Sequence, residues 1–422
     1  MLKTKRIQVF EHGKLSVGHS YGNDPPIKFL DKHFDALVKF NELHKKRYFK
    51  IGYKSISFQH YVGILQVGDL CIEILPKADK SASNNSVWQD VLVEMLKTTK
   101  KLKVNKVGNA NVNRQSIHLL DIYFEWYLTE LELLIRQGLI RQYYYREQNL
   151  TSLKGKLLFQ KHLSKNFVHK ERFYTQHQVY DYNHFIHQIL HQALSIVERL
   201  SKGGHLYSKC KSIGLDFPDV NRIPVNETTF DRIALNRKSK PYETALSIAR
   251  LIILNYAPNI MKGNEQMLAL LFDMNLLWEE YILIKLKDAY KKTNFSVLGQ
   301  RPMKFWNNIS IRPDIIIKDS GNNTICVIDT KWKYIWNNKP SADDLRQMYV
   351  YNDYWNSTNA ILLYPTKEVT KPVIKKFHNR NHWCGLAWVN VVENGKINHN
   401  IGQDIRLALL NKYLSFVPEK VI

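Results

Sequence analysis

The chain is short of acid and has no paired cysteine. Its 422 residues carry 38 Asp and Glu against 61 Lys and Arg, a formal net charge of +23. That imbalance makes a polyanion the first partner to consider. The four cysteines, Cys71, Cys210, Cys326 and Cys384, are scattered with no C-x-x-C pair. A disulfide framework or zinc knuckle is therefore not expected, and a reducing cytoplasm fits. No apolar run reaches the length of a membrane span and no strongly basic amphipathic helix stands alone, so no membrane role is expected. Met1–Arg6 is basic, but Ile7–His12 has no apolar signal core, and no secretory signal is expected. There is no G-x-x-x-x-G-K-[ST] phosphate loop, so any nucleotide hydrolysis that drives this chain comes from another one. His378 and His382 have metal-ligand spacing but no adjacent carboxylate and sit among loop formers, a poor metal pair.

Hydrophobic residues at 44% and charged residues at 23% are ordinary for globular protein, and the length allows two or three domains with their own cores. The most informative stretch is 308–334. Two apolar strands flank Asp319-Ser320-Gly321-Asn322-Asn323, a hairpin signal. Counting outward from a symmetric turn sets Asp314 opposite Asp329, and opposed residues have Cβ atoms roughly 5 Å apart. Lys331, two residues beyond Asp329, shares its face. Two carboxylates and an ammonium converge there. Adjacent carboxylates repel, which favours a divalent cation between them, and Mg²⁺ with oxygen ligands polarises a phosphodiester. The lysine can stabilise charge on the phosphate or orient the attacking water. Asp329 ends the run Ile325-Cys326-Val327-Ile328, which reads as a buried strand and argues against an exposed, salt-bridged hairpin.

The remaining chain reads as mixed α/β. Ser55–Phe58, Tyr61–Val67 and Leu70–Leu75 are short strands, with Gly68-Asp69 a turn between the last two. Residues 79–86 form a polar loop and Val87–Thr99 a helix. The basic run Lys97–Lys106 suits phosphate contact and a solvated helix end equally. Residues 116–145 read as an amphipathic helix. Its end, Arg141-Gln142-Tyr143-Tyr144-Tyr145-Arg146, mixes cations with rings, a composition that suits nucleic acid and, better, an ordinary core edge. Residues 149–157 are extended, 182–201 and 241–256 are helices, and 203–240 is an irregular connection. The C-terminal third reads as helix Met267–Lys291, strand Phe295–Gly299, the hairpin 309–318 and 324–332, helix 341–355 capped by Ser341, and strands Asn359–Pro365 and Leu386–Val392.

Pro313-Asp314 and Asp329-Thr330-Lys331 resemble the motif of the PD-(D/E)xK nuclease superfamily, and the order α-β-β-β-α-β with a further strand is similar to the restriction-endonuclease-like core. Gln347 and Tyr351, one helical turn apart, match the Q-x-x-x-Y pattern that RecB-like members of that fold carry beside the metal site. A glutamate on the first helix often adds a metal or water contact there. Glu279 is the choice over Glu280 from the register of Asn275–Glu279.

Over residues 60–365 the chain also resembles the McrC family, nuclease subunits of McrBC-type modified-cytosine restriction systems. Ile72-Glu73-Ile74-Leu75-Pro76-Lys77 is similar to its I-x-I-x-P-K box. Leu153-Lys154-Gly155-Lys156-Leu157 resembles L-R-G-R-[LI] with lysines for arginines. Phe272–Glu279 resembles F-x-M-N-x-L-F-E with Trp278 for a phenylalanine, and Arg312-Pro313-Asp314 and Asp329–Lys333 resemble R-P-D and D-[AT]-K-[YW]-K. The resemblance implies a Mg²⁺-dependent endonuclease subunit acting on double-stranded DNA in a hetero-oligomer with an AAA+ GTPase. Asp314, Asp329, Lys331, Glu279, Gln347 and Tyr351 would be catalytic, with Asp314, Asp329, Thr330 and Glu279 at the metal. It implies a β-rich partner-docking domain over 1–165, a helical connecting region over 166–265 and the nuclease domain over 266–422. Two alternatives stay open: a standalone nuclease of DNA repair, and a non-catalytic DNA-binding activator of an NTPase motor.

Overall fold

The computed structural model describes residues 5–22, 25–77, 85–101, 119–257, 267–333, 335, 339–366 and 372–412. It is a mixed α/β chain in two compact units. One is built from residues 120–258, the other from the flanking segments 4–119 and 259–422.

The flanking segments contribute β1 (Lys5–Phe10), α1 (Asp31–Leu43), β2 (Tyr61–Val67), β3 (Leu70–Leu75) and α2 (Asn85–Thr98) before the interruption. β1 runs parallel to β3, and β3 pairs antiparallel with β2 around Gly68, whose φ of 54° fits the expected turn. Both β2 and β3 are buried along their whole length. Their shared core includes Ile7, Leu37, Phe40, Leu65 and Ile72, and extends to Phe49 and Ile56 of a small neighbouring sheet. Helix α1 was not expected from sequence. The polar loop at 79–86 lies outside the described residues up to 84 and the basic run at 97–106 lies outside them after 101, with Lys97 in the last turn of α2.

The inserted unit holds α3 (Leu119–Gln137), β4 (Gln142–Leu150), β5 (Lys156–Leu157), α4 (Phe159–Asn166), β6 (Phe173–Asp181), α5 (Phe185–Leu200), α6 (Leu206–Asp216) and α7 (Glu243–Leu254). The long helix expected to 145 stops at Gln137, and its supposed end is strand β4, paired antiparallel with β6 over nine residues. Tyr143 and Tyr145 are 66% and 70% exposed, so they are not a core edge. The 203–240 connection, expected to be irregular, contains α6. Tyr127 is buried and its hydroxyl donates to the Leu190 carbonyl at 2.6 Å, tying α3 to α5.

After the insertion come β7 (Met267–Asp273), α8 (Met274–Tyr290), β8 (Ser296–Gly299), β9 (Ile315–Lys318), β10 (Thr324–Thr330), α9 (Ala342–Tyr354), β11 (Asn359–Thr366), β12 (Val373–Lys376), β13 (Trp383–Asn390) and α10 (Ile401–Lys412). The helix expected from Met267 starts seven residues later. Asp273 caps it, accepting the Asn275 amide at 3.0 Å, and Met267–Asp273 is a strand paired antiparallel with β2. Residues 267–273 are good helix formers individually, but pairing with β2 decides their state. The N-terminal sheet is completed by residues 267–273 and belongs to the unit that carries the C-terminal third, so the chain divides at 119/120 and 258/259, where the sequence expected 165 and 265.

The second sheet has the order β8-β9-β10-β11-β13-β12, antiparallel through β8, β9 and β10 and parallel from β10 to β13. Helix α9 is the crossover from β10 to parallel β11. The element order α8-β8-β9-β10-α9-β11 is the expected α-β-β-β-α-β. The strand expected over 309–318 is broken. Ile309–Ile311 pairs with Met303–Trp306 in a separate hairpin, and β9 begins only after Asp314. His378 lies in a turn and His382 just before β13, so they share no helix face. Among the described residues no helix is long and apolar enough to cross a membrane.

Candidate active site

The hairpin register is the one counted from the turn. Ile315 opposes Ile328, Ile316 opposes Val327 and Ile317 opposes Cys326, before a bulge next to the turn. Asp319 builds that turn by accepting the Asn323 amide at 2.8 Å, with Asn322 at φ 64°. The register carries Asp314, one residue before β9, to the side of Asp329, at the end of β10. Both are buried, at 8% and 2% exposure.

Asp314 Oδ2 accepts the Thr330 amide at 2.7 Å and the Thr330 hydroxyl at 3.0 Å. Thr330, expected at the metal, is thus seen orienting Asp314. Asp329 Oδ1 accepts Gln347 Nε2 at 3.2 Å, and Oδ2 lies 2.5 Å from Lys331 Nζ. That contact is a close ion pair, and Lys331 is what holds this buried oxygen. Lys331 Nζ also donates to Gln347 Oε1 at 3.2 Å and lies 3.8 Å from Asp344. Gln347 Nε2 reaches the Tyr351 hydroxyl at 2.8 Å, and that hydroxyl donates to the Arg312 carbonyl at 2.8 Å. The Q-x-x-x-Y pair on α9 therefore holds both the lysine–aspartate pair and the segment leading into Asp314.

Burial and the Glu279 charge raise the Asp314 carboxyl to about 6, against the pull of Thr330 and Lys331. Burial and Asp314 raise Asp329 to about 7, with Lys331 opposing. Burial disfavours the Lys331 ammonium, but Asp329, Asp344 and Asp314 outweigh it and the net shift is upward. Lys331 is therefore a fixed cation, not a proton acceptor. Glu279 on α8 is half-buried, accepts Gln300 Nε2 at 3.3 Å, and is raised by burial and by Asp329. Glu280 instead pairs with Lys101. The α8 register thus gives the two glutamates different neighbours.

Sequence reasoning passed over Gln300, Asp344 and Glu11. Glu11 is buried and accepts the Trp332 indole N–H at 2.6 Å and the Lys77 amide at 2.9 Å. Trp332 packs on Trp278, ring centroids 5.0 Å apart, next to Glu279. Glu11 thereby ties the Pro76-Lys77 segment to the residue after Lys331. Its partner lies 321 positions away, and no local pattern announces such a contact.

All candidate donors are oxygens, and the two buried carboxylates both have raised proton affinity, with Lys331 the cation that offsets them. That set fits a hard divalent cation. Glu279 acts on the aspartates through its charge. Among the described residues, however, no group of three or more His, Cys, Asp or Glu is close enough to make a metal cage by itself, so protein ligation would rest on the aspartate pair.

The family model of the McrBC 5-methylcytosine restriction system component matches residues 56–365. The chain belongs to this family. The McrBC match covers strands β2, β3 and β7 of the N-terminal sheet, the inserted unit and the site into β11. A chain of the refined half-complex from the tetradecameric assembly of Thermococcus gammatolerans McrB AAA+ hexamers with bound McrC is similar in fold, with TM-score 0.68 and 19% identity over 96% of this chain and 100% of that one. A chain of the Thermococcus gammatolerans McrBC complex matches with TM-score 0.49 and 19% identity, covering 68% of this McrBC-family chain and 89% of that one. No curated protein sequence matches it closely enough to count as a relative.

Proposed function

We propose that the chain is the McrC-type nuclease subunit of a McrBC-like restriction system, a Mg²⁺-dependent endonuclease with a restriction-endonuclease-like core that cuts DNA in company with an AAA+ GTPase. The observation that carries the reading is the convergence of Asp314, Asp329 and Lys331 on one edge of the sheet, braced by Gln347 and Tyr351. Family membership supports it. The partner is suggested by the similar fold found among McrB AAA+ hexamers with bound McrC, and DNA by the net charge of +23.

Asp314 and Asp329 would hold the cation, which when bound supplies neutralisation of the two carboxylates and polarisation of the scissile phosphate. Thr330 fixes Asp314 Oδ2 and so sets the direction of that carboxylate. Lys331, kept charged by its acidic neighbours, stabilises negative charge developing on the phosphate. Gln347 holds the lysine and Asp329 in one geometry, and Tyr351 fixes Gln347 against the chain entering Asp314. Glu279, raised by burial and by Asp329, is suited to accept a proton from the attacking water.

The test is reconstitution with the AAA+ GTPase on plasmids with and without methylated cytosine, in Mg²⁺ and after chelation. The expected outcome is linear product only with Mg²⁺ and the partner. Cutting that persists in chelator, or a chain that neither assembles with the GTPase nor cuts, would sink the proposal.

A further inference from the structure

The hairpin between β8 and Asp314 is unusually bare. Met303–Trp306 pairs with Ile309–Ile311, and every residue from Arg301 to Ser310 is exposed. Four of them are large apolar side chains: Met303, Phe305, Trp306 and Ile309, with Trp306 69% exposed. A tryptophan left largely in water forgoes one of the largest burial gains available to a side chain, and an exposed apolar group of this kind marks an interaction site. Register sets its faces. Met303 opposes Ile311 and Trp306 opposes Ile309, so these four share one side, while Lys304 and Ser310 share the other and Phe305 occupies the bulge.

The root of the hairpin is fixed to the site. The Gln300 amide donates to the Asp314 carbonyl at 3.1 Å, and the Tyr351 hydroxyl donates to the Arg312 carbonyl. Ile311 packs on the core, and the Phe305 ring lies 5.5 Å from Tyr354 of α9. Between Gly299 and Asp314 the chain carries Arg301, Lys304 and Arg312 and no acid. From Arg312 to the Asn307-Asn308 turn is ~13 Å of strand, the height of about four stacked base pairs.

We propose that this hairpin is a DNA-contacting wing: Trp306 stacks at a base step beside the phosphate held at Asp314 and Asp329, while Arg301 and Lys304 hold flanking phosphates. The proposal rests on the nuclease reading for its geometry. Duplex DNA is the occupant because every charged residue of the hairpin is a cation and the hairpin grows directly out of the Asp314 segment, which sets its ligand beside the reacting phosphate. Apolar wedges at base steps kink a duplex, and aromatic stacking is indifferent to sequence, which suits a cutting subunit that does not itself choose the target.

The experiment uses the full chain, Ca²⁺ in place of Mg²⁺, and a short fluorescein-labelled duplex followed by anisotropy. Trp306→Ala is expected to weaken binding about tenfold or more, and Trp306→Phe to recover most of it. Lys304→Ala is expected to lower the salt slope by about 1. Both side chains are exposed, so unchanged circular dichroism is expected throughout. Wild-type affinity in Trp306→Ala would overturn the proposal. So would a variant that keeps DNA affinity but no longer assembles with the AAA+ partner, because the surface would then belong to that partner. The two readings separate cleanly: a wild-type chain that binds through Trp306 yet fails to cut in Mg²⁺ with its partner keeps the wing and removes the nuclease.

Discussion

At the scale of residues, the site is a strained electrostatic arrangement with a measurable sign. Burial and Asp314 raise the Asp329 carboxyl to about 7, so the folded chain binds that proton more tightly than the unfolded one. Its contribution to stability is full below the ordinary carboxylate range and is lost as pH rises through about 7. Without metal, Asp329→Asn is therefore expected to be the more stable protein at about pH 8, by on the order of 1–3 kcal/mol. The difference should shrink as pH falls through 7 toward 4. Mg²⁺ should raise the stability of the wild type at the higher pH and leave the variant nearly unmoved. Denaturant titrations at both pH values measure this, and a variant destabilised at pH 8 would mean that Asp329 serves the fold. In the proposed mechanism Lys331 carries the opposite role: held charged, it would act on developing charge. Lys331→Ala should slow cleavage by roughly 100-fold or more while Mg²⁺ affinity stays the same or rises, since a competing cation has gone. Unchanged single-turnover cleavage would remove Lys331 from the chemistry.

At the scale of elements, the sequence reads well wherever period-two apolar runs meet a strong turn. The Ile315–Thr330 hairpin, its register and the side-by-side placing of Asp314 and Asp329 follow from a turn of Asp, Gly and Asn between buried strands. Ser341 as N-cap was equally legible, and it accepts the Asp344 amide. Spacing put Gln347 and Tyr351 on one helix face and the resemblance to RecB-like nucleases put that face beside the site, but the simultaneous hold of Gln347 on Asp329, Lys331 and Tyr351 needed the tertiary fold. Two of the failures share one cause. Met267–Asp273 and Gln142–Leu150 lack local features that separate strand from helix, and pairing with distant strands settles them. β7 matters to the site because it delivers the Asp273 cap and hence the register of Glu279. Gly63 guards its pairing: with φ 135°, a Cβ there would meet the Leu270 carbonyl oxygen at 2.0 Å. Gly63→Ala is expected to cost about 2–4 kcal/mol and to loosen β7 against β2. A thermal midpoint equal to wild type would show that the sheet does not need this approach.

At the scale of the whole molecule, the chain order and the compact units disagree. Residues 120–258 interrupt a unit whose two halves, 4–119 and 259–422, share a sheet through β2 and β7. A fragment ending at residue 165 keeps β2 but lacks β7, leaving a fully buried strand edge uncovered. Such a fragment is expected to aggregate or stay unfolded, and a cooperative unfolding transition by circular dichroism would show that it is a domain after all. The central claim is that Asp314, Asp329 and Lys331 form a metal-dependent nuclease centre separable from assembly with a motor. Its most direct test is plasmid cleavage by the full chain assembled with the proposed AAA+ GTPase partner, comparing wild type with Asp329→Asn at equal Mg²⁺ and GTP while GTP turnover is followed in the same reaction. The expected result is loss of linear product by at least about 100-fold with GTP turnover unchanged; cleavage at the wild-type rate by Asp329→Asn would contradict the account.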